Sequence, residues 1–444
     1  MGRGKDSKGL RLGGLWGHSD FMKLWVGETI SSLGAQVAAL AIPLTAVIAL
    51  QSSALETGLL KAAQTVPFLF AVFAGVWVDR HRRRPLLVGA NVGRALVLAL
   101  IPLAAVLGWL HLWYVCAVAL LLGVLNVMFD TAYQSYLPSL VEREHIIEGN
   151  SKLFSTQAAA DFAGPTLAGI LIQTLTAPIA LAVNSVTYLF SASALALIRK
   201  PEVAPAQPEQ RANVWKDIAE GFNVVHRHPY LRAFVGEAAT FNLFFGGFMT
   251  TVFLVYAVRH LGMNALHIGV ITSAGAVGVL LGALVAGAMA KQYGLGRTIL
   301  IATVIGCSIP LAYALANPGY SLVANMAILM TAEFITGFAT VVMNIHLVSL
   351  RQTITPDRLL GRVNATYRTY IYGAVPVGSI LGGLLGTLIG LRAALVVGGL
   401  GLATGILWIL LSPVPRLLTM PAAGSLEQGL SGTESSSGVD VGNP

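Results

Sequence analysis

Residues 266–290 read LHIGVITSAGAVGVLLGALVAGAMA, a stretch that contains no Asp, Glu, Lys or Arg. An α-helix needs about 20 mostly apolar residues to cross the hydrocarbon core of a bilayer. Because lipid offers no hydrogen-bond partner to the backbone, the segment must satisfy its own amides and carbonyls, and a helix does so. The stretch therefore predicts a transmembrane helix.

Further apolar runs of similar length repeat this pattern along the chain. With the first run, they predict twelve spans at approximately 24–50, 57–78, 85–108, 112–137, 150–176, 179–198, 232–258, 266–290, 298–316, 320–350, 362–389 and 391–411. The runs are continuous, whereas a membrane β-barrel alternates polar and apolar residues. We expect an all-α integral membrane protein with twelve transmembrane helices in two six-helix pseudo-symmetric bundles.

Composition and charge placement agree with this fold class. The 444-residue chain is 55% hydrophobic and 11% charged, whereas soluble proteins carry about 25% charged residues, so a soluble enzyme is excluded. Most of the 28 Lys and Arg residues fall on one side of the predicted spans, and only Lys61, Arg259 and Arg392 fall on the other. By the positive-inside rule, we expect a multi-pass protein of the inner or plasma membrane with both termini cytoplasmic. The net charge of +8 is then an orientation signal, and no nucleic-acid partner is expected.

The segment 199–231 divides the predicted spans six and six. We expect an N-terminal six-helix bundle at 1–198, a cytoplasmic linker at 199–231, a C-terminal six-helix bundle at 232–415 and a disordered cytoplasmic tail at 416–444. The linker contains an amphipathic piece from Val214 to Val225, which fits either an interfacial helix or a simple connection. Small residues of the fifth span recur in the eleventh at one constant offset, as expected of related halves.

The loop after the second span contains a glycine, an acid and a basic cluster. Residues 75–85 read GVWVDRHRRRP. Gly75 would let a neighbouring helix approach closely, and Asp79 can accept hydrogen bonds from a facing helix N-terminus or from an arginine. We interpret Asp79 as a gate residue that latches the cytoplasmic side, although an ordinary positive-inside loop explains the arginines equally well.

This loop resembles the signature of the major facilitator superfamily, G-x-x-x-D-R-x-G-R-[RK]. The matching residues are Gly75, Asp79, Arg80, Arg83 and Arg84. Arg82 replaces the middle glycine of the signature, so we expect a different turn there. The resemblance implies a central cavity lined by helices 1, 4, 7 and 10.

The fifth span contains a second motif, formed by Gly164, Pro165, Ala168 and Gly169. Pro165 removes a backbone hydrogen bond, and the small residues permit tight helix packing. These residues resemble the antiporter motif of the superfamily, G-P-x-x-G-G, with Ala168 in place of one glycine. The motif is associated with exporters, while a tightly packed, kinked helix would account for the same residues.

Three passages resemble the drug-efflux branch of the superfamily, which contains macrolide and enterobactin exporters. They cover residues 21–34, 130–150 and 350–363. The chain departs from the branch at Gln36 and Asn91, where acids are frequent. These missing acids argue against a proton site carried over from the branch.

Several charged residues lie within predicted spans, where a charge costs about 2.5–3.5 kcal/mol on insertion scales. They are Glu28, Arg94, Asp130, Asp161, Glu237, Glu333 and Arg368. One acid lies on each of the four helices that the resemblance assigns to the cavity. We predict that Glu333, Asp130 and Asp161, in that order, carry proton coupling or substrate binding.

The remaining intramembrane charges have two interpretations each. Arg94 matches the branch's helix-3 arginine and would be a charge partner or a gating residue. Glu28 and Glu237 are further coupling candidates, but a solvated rim or an interhelical salt bridge would explain them as well. The seventh span also carries an aromatic stripe, which fits either a drug-binding wall or packed aromatic side chains. Its members are Phe241, Phe244, Phe245 and Phe248.

Together these features predict a secondary active transporter that exports amphiphilic small molecules, drugs or natural products, by proton antiport with alternating access. Its partners would be the small-molecule substrate, protons and the lipid bilayer, and we expect a monomer. No Walker, zinc or catalytic-triad pattern occurs, so we expect no cofactor, no metal and no enzymatic activity. The alternatives are a dedicated exporter of one endogenous metabolite or siderophore, and a proton-coupled importer.

Overall fold

The structure, a computed structural model, describes residues 14–78, 80–202 and 214–420. Within these ranges every regular element is a helix. Asp79, the predicted gate residue, lies outside the described residues.

The helices of the first part of the chain follow the predicted spans. They are α1 (Ser19–Leu44), α2 (Ala54–Thr65), α3 (Ala71–Val78), α4 (Arg83–Val106), α5 (Leu112–Leu140), α6 (Ile146–Leu175) and α7 (Ala177–Ala196). A wide π-helical turn, Thr45–Ala49, extends α1. A 3-10 segment, Val66–Phe70, separates α2 from α3 around Pro67. Proline lacks an N–H group, which explains why the span predicted at 57–78 is not one regular helix.

The second part of the chain begins with the amphipathic segment. Its helices are α8 (Val214–Arg227), α9 (Pro229–Phe241), α10 (Thr250–Arg259), α11 (Ala265–Tyr293), α12 (Leu295–Ser308), α13 (Leu322–Ile354), α14 (Asp357–Leu388), α15 (Leu391–Ala403) and α16 (Gly405–Leu410). A π-helical stretch, Asn242–Met249, joins α9 to α10. A 3-10 helix, Ile309–Leu315, follows α12. The amphipathic segment predicted from Val214 is thus a helix, since α8 begins at Val214.

Ten of the described helical segments are long and apolar enough to cross a membrane, by length and composition. The predicted spans at 57–78 and 150–176 are not among them. The first is divided at Pro67, and the second corresponds to α6, which contains Lys152 and Asp161 among its apolar residues. The count of twelve transmembrane helices therefore stays a prediction.

The chain forms two compact units. Unit 1 contains Met1–Ile42 and Phe70–Gln207, and unit 2 contains Pro43–Leu69 and Pro208–Pro444. The end of α1 and all of α2 thus belong to unit 2, where the Leu55 N–H group donates to Thr387 Oγ1 at 3.3 Å. This grouping differs from the predicted boundary at 198, and the six-plus-six division stays a prediction.

Each unit has its own apolar core. The core of unit 1 joins α1, α4 and α5 through Phe21, Leu87 and Phe129. The core of unit 2 joins α9, α12, α13 and α14 through buried side chains that include Phe234, Ile299, Val342 and Val363. Residues 416–418, which the predicted tail includes, are ordered, because the Gly296 N–H group donates to the Leu417 carbonyl at 2.8 Å.

Glycines of the repeated small-residue motif lie at close helix crossings. A Cβ atom added at Gly164 would lie 2.8 Å from Gln36 Cβ on α1. A Cβ atom added at Gly382, on α14, would lie 2.7 Å from the Phe248 carbonyl oxygen. Both distances are shorter than two such atoms can approach, so each crossing requires a residue without a side chain. The α6 helix is continuous through Pro165, which is buried.

Candidate transport site

The helices of unit 1 bring a buried arginine next to an acid. Arg94 lies on α4, and its side chain is 5% exposed, whereas the Asp130 side chain on α5 is 53% exposed. Arg94 Nη2 lies 3.6 Å from Asp130 Oδ1. The pair therefore joins a guanidinium shielded from solvent to a carboxylate that solvent or a bound molecule can reach.

Polar and aromatic neighbours hold the guanidinium of Arg94. Its Nη1 donates to Asn91 Oδ1 at 3.2 Å, and Asn91 Nδ2 donates to Ser191 Oγ on α7 at 2.9 Å. Its Nη2 donates to the Asn126 carbonyl at 3.4 Å. The Arg94 Cζ atom lies 4.0 Å from the centre of the Phe129 ring, which adds a cation–π contact. Asn91, one of the two departures noted in the sequence, thus serves to orient Arg94.

Glu28, on α1, completes this cluster. Its carboxylate interacts electrostatically with both Arg94 and Asp130, and with the Ser32 hydroxyl. One guanidinium and two carboxylates leave one excess negative charge when both acids are ionised. Taking up one proton neutralises the cluster, and so would binding one cationic group. We call Glu28, Arg94 and Asp130 the arginine cluster.

Asp161 lies apart from the arginine cluster, at the contact between α6 and α1. Its Oδ1 accepts hydrogen bonds from Gln36 Nε2 at 2.7 Å and from Gln157 Nε2 at 2.8 Å. The Ser32 hydroxyl donates to Gln157 Oε1 at 3.0 Å. Since Ser32 also faces Glu28, a chain of polar side chains leads from Glu28 to Asp161.

Ser32 has only one hydroxyl hydrogen, so it can donate to only one of its two partners, Glu28 or Gln157, at a time. If the hydrogen goes to Gln157 Oε1, the Ser32 oxygen can only accept, and its partner Glu28 must then donate as a neutral acid. If Glu28 is ionised, the hydroxyl turns towards it and the bond to Gln157 is lost. The orientation of Ser32 therefore follows the protonation of Glu28. Sequence patterns did not reveal Ser32 and Gln157, although Gln36 was noted as a departure from the branch.

In unit 2, Glu237 is far more buried than the predicted rim position would allow. The residue is 1% exposed, and its Oε1 atom has no hydrogen-bond partner among the residues that the structure describes. Its surroundings include the Cys307 thiol and the Tyr367 ring. The expectation of a solvated rim is therefore wrong for Glu237, because α9 turns this side chain into the core and not towards solvent.

Tyr367 also lies next to a basic residue, Arg351 of α13. Arg351 is only 9% exposed, and its guanidinium stacks over the Tyr367 ring, with Cζ 3.8 Å from the ring centre. The carboxyl group of Glu237 and the guanidinium of Arg351 thus both face Tyr367. A charged carboxylate this deeply buried is costly without a direct partner, and a neutral carboxylic acid costs much less.

Glu333, the first-ranked coupling acid, lies on α13 in unit 2. Its carboxylate faces the buried hydroxyl group of Tyr313, although that hydroxyl makes no hydrogen bond of normal geometry with any of the described residues. A Cβ atom added at Gly275, on α11, would lie 3.0 Å from Glu333 Oε2, so Gly275 leaves room for this side chain. Arg368, the remaining intramembrane charge, is exposed on α14.

Two arginines of the signature loop have defined structural partners. The backbone N–H groups of Arg83 and Arg84 donate to the two carboxylate oxygens of Glu202, at 2.6 and 3.0 Å. The Arg84 guanidinium donates to the carbonyls of Leu195 and Ala196 at the end of α7. Glu202 thereby caps the start of α4, and Arg84 caps the end of α7. Sequence patterns did not reveal the capping role of Glu202.

The other predicted residues of the loop and the aromatic stripe are placed as follows. Arg80 is exposed. Gly75 faces Thr131 of α5, because a Cβ atom added at Gly75 would lie 3.9 Å from the Thr131 side chain. Phe248 is 2% exposed, and it packs against Gly398 of α15. Phe244 packs against Gly401 of the same helix. These two phenylalanines are therefore packed aromatic side chains in this structure.

Solved structures share the fold at low sequence identity. A mutant form of the nucleoside transporter NupG superposes with a TM-score of 0.72 and is 11% identical, covering 88% of this chain and 99% of that chain. A bacterial homologue of the iron transporter ferroportin, in its inward-facing state, has a TM-score of 0.66 and is 16% identical, covering 88% of this chain and 98% of that chain. Both are transporters, and the likeness establishes the fold.

Sequence relatives are exporters by name. Macrolide efflux protein A of Streptococcus pyogenes is 22% identical over 85% of this chain and 92% of its own length. The multidrug efflux pump Tap of Mycolicibacterium fortuitum is 27% identical over 84% of this chain and 90% of its own length. The enterobactin exporter EntS of Citrobacter koseri is 25% identical over 93% of this chain and 96% of its own length.

The family model described as transmembrane secretion effector matches residues 16–428, almost the whole chain. The predicted resemblance to the drug-efflux branch that contains macrolide and enterobactin exporters is therefore confirmed. The chain is a multi-pass membrane transporter and not an enzyme, and it belongs to the transmembrane secretion effector family of the major facilitator superfamily.

Proposed function

We propose that this protein exports an amphiphilic small molecule across the inner membrane in exchange for protons, by alternating access of two six-helix halves. In this proposal the monomer has twelve transmembrane helices and both termini lie in the cytoplasm. The arginine cluster is the observation that carries the proposal. It combines one shielded guanidinium with two carboxylates, and one of these carboxylates is open to solvent.

The cluster supplies the competition that an antiporter requires. With Glu28 and Asp130 both ionised, the excess negative charge attracts either a proton or a cationic group of the substrate, but neutrality is reached with only one of them. Two ligands that compete for one site and favour different conformations drive an exchange. We assign the proton to Glu28 and the substrate contact to the more exposed Asp130.

The polar side chains that lead from Glu28 to Asp161 link the protonation of Glu28 to the contact between α1 and α6. When Glu28 is neutral, Ser32 can donate to Gln157 and tie α1 to α6. When Glu28 loses its proton, Ser32 turns back and this tie is released. In this scheme Asp161 is a positioning residue, because it holds Gln157 in the required orientation.

Glu237 and Glu333 are the two intramembrane acids of unit 2, and the proposal gives them a smaller part than the arginine cluster. Neither forms an ion pair with an arginine or lysine among the described residues. Glu237 is fully buried, so a proton would reach it only through a rearrangement of α9. We therefore assign these two acids a secondary role, as sites whose neutral form stabilises one conformation.

Transport into inverted membrane vesicles tests the direction and the coupling together. A radiolabelled macrolide should accumulate when ATP hydrolysis acidifies the vesicle interior, and an uncoupler should abolish that accumulation. Asp130→Asn should reduce the accumulation at least tenfold, whereas Glu56→Gln, in the capping box of α2, should transport normally. Accumulation that persists with the uncoupler would refute proton coupling. Accumulation in right-side-out vesicles instead would indicate an importer.

One observation favours a dedicated exporter as the second candidate. The enterobactin exporter of Citrobacter koseri aligns over the largest share of this chain among the relatives described above. Enterobactin should then be transported in the same vesicles, while a panel of unrelated drugs should not. A multidrug exporter would give protection against several drugs in a growth assay of an efflux-deficient host.

A further inference from the structure

Unit 2 contains two apolar cavities that share the same two residues. One has a volume of about 710 Å³ and lies between α8, α9 and α14, and the other has a volume of about 810 Å³ and lies between α9 and α16. Arg232 and Trp408 line both of them. Each volume is within the range of small-molecule pockets, about 300–1,000 Å³.

The tryptophan separates the two cavities. Trp408 packs against Gly236, where an added Cβ atom would overlap the indole ring, and its Nε1 donates to Thr240 Oγ1 at 3.1 Å. This bond fixes the ring against α9. The first cavity is then lined on one side by residues such as Val377, and the second by residues such as Leu407. Both of these side chains are about half exposed, so the cavities open at the surface of unit 2.

Arg232 is the only full positive charge in either lining. It is exposed and forms no ion pair among the described residues. A guanidinium at the mouth of apolar space attracts an anion, and it matches phosphate geometry well. The combination of one cationic position with two adjoining apolar cavities fits a molecule that has one anionic head and two apolar tails.

The surrounding elements place this site at the level of lipid headgroups. Helix α8 is amphipathic and packs on α14 through the Glu220–Arg362 ion pair, 2.7 Å, and the contact between Tyr370 Oη and His226 Nε2, 3.1 Å. Amphipathic helices lie in the membrane interface, and Trp and Tyr are enriched there. In the orientation proposed above, this interface faces the cytoplasm, where anionic lipids are concentrated.

From this geometry we propose that unit 2 carries a specific binding site for an anionic glycerophospholipid of the cytoplasmic leaflet. Its phosphate binds Arg232, and its two acyl chains occupy the cavities on either side of Trp408. The lipid would fill apolar space between α9, α14 and α16, and would therefore link the packing of these helices to the lipid composition of the membrane.

Native mass spectrometry of the full-length protein tests the site. The detergent-purified protein is titrated with palmitoyl-oleoyl phosphatidylglycerol and, separately, with the phosphatidylcholine that carries the same chains. Phosphatidylglycerol should bind about fivefold more tightly, as expected for one arginine near the phosphate. Arg232→Gln should remove this preference. Arg297→Gln, at an exposed arginine of α12 outside both cavities, should retain it.

Two further arms separate the lipid from other amphiphiles. Val377→Trp or Leu407→Trp fills one cavity at an exposed position, so each should weaken binding of phosphatidylglycerol without unfolding the protein. Lysophosphatidylglycerol, which has one chain, should bind more weakly than the two-chain lipid. Equal binding of both headgroups, an unchanged preference in Arg232→Gln, or equal binding of the one-chain and two-chain lipids would each overturn the proposal.

Discussion

At the residue scale, the acids that the sequence marked have different surroundings, and their roles should differ accordingly. Asp130 has an arginine partner and an exposed carboxylate. Asp161 receives two amide N–H groups on one oxygen atom. A carboxamide oxygen has two lone pairs and could accept both of these bonds. A neutral replacement should therefore be harmful at Asp130 and tolerated at Asp161.

This difference gives a prediction about Asp161. Asp161→Asn should keep most of the gradient-driven transport, because its oxygen still orients Gln157, whereas Asp161→Ala should lose the hydrogen bonds from Gln36 and Gln157. Thermal unfolding in detergent should show Asp161→Ala less stable by about 1–2 kcal/mol, the range for a partly exposed charged hydrogen bond. Loss of transport in Asp161→Asn, with unchanged stability, would instead make Asp161 a coupling acid.

The arginines of the signature loop allow a second prediction at this scale. Arg84 donates to the last carbonyls of α7, a place where a positive charge also complements the helix dipole. Arg84→Ala should lower the free energy of unfolding by about 1 kcal/mol, after allowance for solvent screening. Arg82→Ala, at an exposed neighbour in the same loop, is the matched control and should change stability by less than about 0.5 kcal/mol. Equal effects in the two variants would remove the capping role.

At the element scale, the N-terminal 3-10 helix Gly14–Gly17 is attached to the start of α6. The Leu15 N–H group donates to Glu148 Oε1 at 3.1 Å, and Lys152 Nζ lies 3.2 Å from the same oxygen. The bond from Leu15 and the pairing with Lys152 lower the pKa of Glu148 below its ordinary value of 4.5. The ionised form is thus stabilised in the attached state, and the attachment is lost as the pH falls through this lowered pKa.

Hydrogen exchange measures this attachment directly. The protection factor of the Leu15 amide should be high at pH 7 and should fall once the pH is lowered well below 4.5, whereas the protection factors of amides within the core of α5 should not change over the same range. Glu148→Gln should show the low protection factor of Leu15 already at pH 7. Protection of Leu15 that is independent of pH, or that survives in Glu148→Gln, would contradict the role of this carboxylate.

Helix positions were largely predictable at this scale, because apolar length determines them. The span predicted at 112–137 became Leu112–Leu140, and that at 179–198 became Ala177–Ala196. The division of the second span at Pro67 and the π-helical stretch Asn242–Met249 were missed. Both depend on local backbone geometry and on the packing of neighbouring helices, and hydropathy is insensitive to either.

The candidate site was predictable only in part, for a related reason. Charge within apolar runs pointed to Arg94, Asp130 and Glu28, because such charges are costly and therefore informative. Their partners are polar but neutral residues such as Ser32 and Gln157, which are common in helices and give no such signal. The burial of Glu237 was also missed, since the direction in which a side chain points depends on how helices pack.

At the scale of the whole molecule, the family and the fold are those of transporters, and the proposal adds the coupling of export to protons. The relatives are exporters of different substances by name. The substrate contact is therefore expected to vary among such proteins, while an exchange of one positive charge against a proton can serve many amphiphiles. The central claim is that substrate and proton compete for the arginine cluster.

Proton release on substrate binding measures this competition most directly. Purified protein in weakly buffered detergent solution, with a pH indicator, is mixed with the substrate that the vesicle assay identifies. Because linkage is reciprocal, the wild type should release up to about one proton per bound molecule, depending on pH. Glu28→Gln, whose cluster is already neutral, should bind the substrate more weakly than the wild type and release no proton. Release that is unchanged in both Glu28→Gln and Asp130→Asn, or no release from the wild type at any pH between 5 and 9, would contradict the account.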